Sequence, residues 1–101
     1  MSASITHRYG HSEDYSPDKI PELIAELDAY IDDEHPDVWV SCGGWTLSAF
    51  PSGLVIWEDD VDEAPRHLRG VSRSHLAVLM DLCGTGRFHE LERLPWMEGY
   101  G

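Results

Sequence analysis

Positive charge is what this chain has least of. Seven of its 101 residues are lysine or arginine against nineteen Asp and Glu, Lys19 is the one lysine, and the formal net charge is −12. Nucleic acid binding draws most of its affinity from phosphate contacts, so a chain this acidic is expected to be repelled rather than bound. Long apolar runs are missing as well. Nothing approaches the roughly 20 consecutive apolar residues of a membrane helix, and Met1 to Thr6 has neither the basic start nor the apolar stretch of a secretory leader. The expectation is a soluble, cytosolic protein with no membrane partner. Cysteine is scarce: Cys42 and Cys83 each sit in an apolar segment and read as buried free thiols rather than a disulfide.

Chemical signatures are equally thin. No HExxH, CxxC or comparable ligand array is present, so neither a metal nor another cofactor is expected. Six histidines are scattered along the chain; His7 and His11 have the spacing of a helical ligand pair, but Tyr9-Gly10 between them argues against a helix. A calcium loop starting at Glu58 would carry Pro65 and Arg66 in its middle, where alternating oxygen ligands and a turn glycine are required. Cys42-Gly43-Gly44-Trp45 offers a thiol but no following helix start to lower its pKa. Gly84-Thr85-Gly86 is too short for a phosphate loop and suits a helix end. With no catalytic constellation, the chain is expected not to be an enzyme.

What the sequence does contain is a foldable domain. Its 42% hydrophobic content sets the acid excess on a globular rather than a disordered chain, and 101 residues suffice for one domain, 1–101, with one modest core. Ile5 to Tyr9 reads as a short edge strand. Ile20, Leu23, Ile24, Leu27, Tyr30 and Ile31 recur at helical spacing, with His35-Pro36 ending the helix. Val38 to Cys42, Trp45 to Phe50 and Leu54 to Glu58 read as strands joined by Gly43-Gly44 and Pro51-Ser52-Gly53 turns. If Cys42 faces Trp45, one sheet face collects Val38, Val40, Cys42, Trp45, Leu47, Ala49, Val55 and Trp57, all apolar, which fixes the register. The opposite face is mixed, with Trp39, Phe50, Leu54 and Ile56 among polar residues. Arg66 to Gly70 reads as a connector, with Arg66, Arg69, Arg73 and His67 as a small basic island. A second helix follows a Ser72 or Ser74 cap and ends at Gly84, and a short helix spans Arg87 to Leu94. The expected class is α+β: a small three- to four-stranded antiparallel meander against two main helices and a short C-terminal one.

Ten of the nineteen acids fall in residues 28–37 and 58–63. Acids at the end of the first helix face the negative pole of its dipole, where basic residues are usual, and a local rule broken repeatedly suggests function. The expected partner-binding residues are Asp32, Asp33, Glu34 and Asp37 at one end of the sheet and Glu58, Asp59, Asp60, Asp62 and Glu63 at the other. Trp39 and Phe50 serve as aromatic anchors between them. The leading expectation is therefore a non-enzymatic, acidic protein-binding module, an inhibitor or bacterial immunity-type protein that docks on a basic partner such as a nuclease-like toxin or defence enzyme. The alternatives are an acidic soluble domain of general structural role whose charge follows its cellular setting, or a small enzyme using His and carboxylates.

Overall fold

A computed structural model describes residues 3–8, 10–28, 37–59, 61 and 64–100. The strongest alternation in the sequence forms the centre of the sheet: β3 (Val38–Cys42), β4 (Trp45–Ala49) and β5 (Val55–Asp59) are consecutive antiparallel strands, with Cys42 opposite Trp45 and Ala49 opposite Val55. Gly43 and Gly44 both take positive φ, 56° and 84°, as a two-residue hairpin turn requires. The expected meander and its register are therefore present.

The sheet is much wider than expected. Four further strands, β1 (Ala3–Thr6), β2 (Ser12–Asp14), β6 (Arg66–Leu68) and β7 (Met97–Glu98), extend it to seven in the order β2-β1-β3-β4-β5-β6-β7, every pair antiparallel. The architecture remains α+β, but a three- to four-stranded sheet is wrong. β1 is not an edge strand, because it pairs with β3 on one side and β2 on the other. The supposed connector Arg66–Gly70 contains β6, which buries His67 with its Nδ1–H donating to the Gly99 carbonyl at 2.9 Å. Strands of two or three residues are too short for alternation to register in a sequence.

The helices are α1 (Ile20–Asp28), preceded by a 3-10 turn at Pro17–Lys19, α2 (Arg73–Gly84) and α3 (Phe88–Glu92). The Ser72 side chain caps α2, accepting from the His75 amide at 3.2 Å. The expected continuation of α1 through Tyr30 and Ile31, and its stop at His35-Pro36, lie outside the described residues. Ile20, Leu23 and Leu27 of α1 and Leu76, Leu79, Met80 and Cys83 of α2 meet Ile5, Val38, Val40, Leu47 and Trp57 in one core. Each such side chain contributes about 1.5–3 kcal/mol on burial.

Gly84 is not simply a helix stop. It belongs to α2, and a β-carbon there would lie 2.2 Å from Cε1 of Tyr15. The Tyr15 ring crosses the helix at this point, while its hydroxyl donates to Asp81 at 2.7 Å and its amide donates to the Ala3 carbonyl. Gly84→Ala should therefore destabilise the fold by about 1–3 kcal/mol through overpacking. In a Tyr15→Ala background, urea unfolding should show that the added methyl costs far less. An equal cost in both backgrounds would mean the ring is not what excludes it.

Candidate functional site

Strand pairing divides the sheet into two unlike faces. On one, the row Glu13–Ile5–Val40–Leu47–Trp57–Arg66–Glu98 runs across all seven strands, apolar in the middle and charged at the ends. The helices cover its centre, with the Cys83 thiol donating to the Val40 carbonyl at 3.6 Å. On the other face run Ser12–Thr6–Trp39–Ser48–Ile56–His67–Met97 and, beside it, Asp14–Ser4–Ser41–Thr46–Glu58. Among the described residues no helix lies on this second face, and none of its strand residues is lysine or arginine. Its hydroxyls pair laterally, Thr6 with Ser12 at 2.8 Å and Ser41 with Thr46 at 3.2 Å.

Four of the eleven expected partner-binding residues, Asp37, Trp39, Phe50 and Glu58, share this helix-free face by strand alternation. Asp37 and Phe50 stand at one end, Trp39 in the middle and Glu58 at the other end, about 14 Å apart along the strand direction. Asp37 and Glu58 thus share one face although they stand at opposite ends of the sheet. Asp59 has the opposite parity and lies beside Trp45. Asp32, Asp33, Glu34, Asp60, Asp62 and Glu63 lie outside the described residues. Burial pushes the Asp37 carboxyl above its usual pKa, against an opposing backbone hydrogen bond.

The cations are largely occupied within the fold. Arg73 bonds Asp28 at 2.9 Å and the Pro51 carbonyl, Arg87 bonds Asp81, Lys19 bonds Glu13, and Arg66 makes a two-point contact with Glu92 at 2.9 and 3.2 Å. Asp28 at the end of α1 is thus compensated, which removes part of the helix-dipole argument made from sequence. Of the expected basic island of Arg66, Arg69, Arg73 and His67, three side chains go to different partners, Arg66 to Glu92, Arg73 to Asp28 and His67 to the Gly99 carbonyl. Glu58 and Asp59 carry no ion pair among the described residues; Glu58 accepts from the Tyr100 hydroxyl at 3.0 Å and Asp59 from the Val61 amide at 2.8 Å.

A cleft of about 480 Å³ opens at the Asp59 end, lined by Trp45, Asp59, Ala64, Pro65, Arg66 and Glu98. Its wall is aromatic. Trp45 stacks on Trp57 with centroids 4.5 Å apart, and the Arg66 guanidinium lies 4.3 Å from the Trp57 centroid. Sequence reasoning missed it because β6 and β7 were not foreseen. The parity that puts Trp45 and Asp59 side by side was the one available signal.

Neither catalysis nor metal binding gains support from the geometry. Cys42 and Cys83 are free and buried, and burial raises the Cys83 thiol to about 12, so it is inert at neutral pH. Among the described residues no group of three or more His, Cys, Asp and Glu is arranged to hold a metal ion, and no helix is long and apolar enough to cross a membrane. His7 and His11 flank the β1–β2 turn, rings stacked 5.7 Å apart, rather than sharing a helix. Comparison with protein families, with curated proteins and with solved structures found no match.

His7 is engaged on both ring nitrogens, Nδ1 with Glu26 and Nε2 with Glu13 at 2.5 Å, while Glu26 also accepts from the Arg8 amide at 2.9 Å. Partial burial by itself favours the neutral ring, but the hydrogen bonds and charges of Glu26 and Glu13 outweigh it and the pKa rises above 6.5. The group is therefore more easily protonated folded than unfolded. Its stabilisation is fully present below about pH 6.5 and is lost as pH climbs through the raised folded pKa. Urea unfolding across that window should show stability falling with pH, and the slope should flatten in His7→Gln; an unchanged slope would remove His7 from the account.

Proposed function

We propose that the protein is a non-enzymatic, acidic protein-binding module of the inhibitor or immunity type, and that its helix-free sheet face docks on a basic partner such as a nuclease-like toxin or defence enzyme. The observation carrying this reading is the composition of that face. It combines a half-buried Trp39 with carboxylates at Asp14, Asp37 and Glu58, a belt of serine and threonine hydroxyls, and no strand-borne lysine or arginine. An aromatic centre with a polar, charged rim is how protein interfaces are commonly built. The excess of negative charge, with Arg69 past the end of β6 as the cation in line with His67, steers a basic surface in and sets its orientation, chiefly by raising the association rate. The pairing of Arg66, Arg73, Arg87 and Lys19 with Glu92, Asp28, Asp81 and Glu13 adds support, because those four cations are taken up away from the carboxylates of this face.

The natural test is to co-purify the chain with the basic nuclease- or toxin-like product of a neighbouring gene and titrate that protein's activity. Inhibition should be saturable and should weaken at least tenfold between low and high salt. Reversing Asp14 and Glu58 to lysine, or replacing Trp39 with alanine, should lower affinity by tenfold or more while circular dichroism stays native. Full inhibition by both folded variants would exclude these residues as the contact, and no inhibition by the parent chain would end the reading. Stability that climbs steeply with salt, with no partner bound, would instead favour charge set by cellular setting.

A further inference from the structure

The cleft at the Asp59 end has an unusual balance of charge for its size. Arg66 forms its cationic wall, yet that guanidinium is bound at two points by Glu92 and stacked on Trp57, so it has little left to offer an incoming anion. Glu98 is the register partner of Arg66 on the neighbouring strand, yet no hydrogen bond or ion pair joins the two, and Glu98 has no polar partner among the described residues. Asp59 faces the same space with one oxygen turned to the Val61 amide. Among the described lining residues, Arg66 is held by Glu92, which leaves Asp59 and Glu98 as carboxylates without an ion pair. Between the carboxylates the lining is Trp45, Ala64 and Pro65, which is apolar.

An apolar slot ending in uncompensated carboxylates matches one kind of group: a long alkyl stem with a cation at its tip. Lysine and arginine side chains bury their methylenes on apolar surface and hold the charge at the end. Arg66 already lies 5.7 Å from the Trp45 centroid, so Trp45 offers a stem apolar surface, and the choice of tip falls on a guanidinium because its fork of donors can bond two carboxylates where an ammonium is a point charge. We infer that this cleft receives an arginine side chain, its stem on Trp45 and Pro65 and its guanidinium between Asp59 and Glu98. The inference rests on the proposed docking function and gives it an anchor. Glu58 and Asp59 are chain neighbours with opposite parity, so Asp59, Trp45, Arg66 and Glu98 belong to the side of the sheet away from the helix-free face, and the arginine comes from a separate segment of the same partner.

The probe is N-acetylarginine amide, with N-acetylcitrulline amide as its neutral counterpart of the same shape, titrated into the isotopically labelled full chain. The arginine compound should move the Trp45 indole N–H and the amides of Arg66 and Glu98 saturably, and the citrulline compound should not. Asp59→Asn and Glu98→Gln, both surface changes, should each weaken the response threefold or more. Shifts spread equally over Asp14, Asp18 and Glu22, an absence of saturation, or full binding by the double variant would overturn the inference. These outcomes are separable from failure of the docking reading. The double variant leaves Trp39, Asp37 and Glu58 intact, so inhibition of the partner at parental affinity would discard the arginine slot alone. A positive titration without any inhibited partner would discard the docking reading while keeping the slot.

Discussion

Trp57 is the side chain on which most of the other contacts converge. It sits fully buried in the middle of the sheet, with Trp45 stacked 4.5 Å away, Trp96 at 5.5 Å, Phe88 at 6.5 Å and the Arg66 guanidinium at 4.3 Å. One ring thereby connects β4, β6, α3 and the C-terminal tail. Its indole N–H finds no acceptor among the described residues, an omission that costs about 1–3 kcal/mol. Burying roughly 200 Å² of ring at about 25 cal/mol per Å² returns about 5 kcal/mol, so packing outweighs the orphaned donor. The same stack holds Arg66 against Glu92 and so shapes the cleft.

The division of the sheet into a helix-covered and a helix-free face follows from the same central strands. Val40, Leu47 and Trp57 are directly paired and commit one side to the core, which forces Trp39, Ser48 and Ile56 to the other. Few lysines and arginines, most of them tied to acids in other elements, then leave that second side with an excess of negative charge. The arrangement is a consequence of strand alternation combined with where the cations go.

The legible part of the sequence was the part with period. Val38 to Val55 alternates over three strands and two glycine-marked turns, so its register could be read from parity alone. β2 is Ser12-Glu13-Asp14 and β7 is Met97-Glu98; neither has the length or apolarity to announce a strand, and both form because a neighbour offers unpaired backbone. β6 was illegible for another reason: Arg-His-Leu looks like surface, but His67 is buried with the Gly99 carbonyl as its partner, a contact 32 residues away. The candidate site divided along the same line. Trp39, Phe50 and Glu58 followed from parity, whereas Arg66, Glu98 and the His7–Glu26 contact depend on pairings between distant segments that composition does not encode.

The two outermost strands carry a further consequence. Among the described residues β2 and β7 each end the hydrogen-bonded array with one side unpaired, and such edges are templates for uncontrolled strand addition. Both are very short, and both carry carboxylates, Glu13 and Asp14 on one and Glu98 on the other. Carboxylates crowded onto two short edges repel their counterparts on another copy, so the acid excess also works against edge-to-edge joining of chains into ribbons.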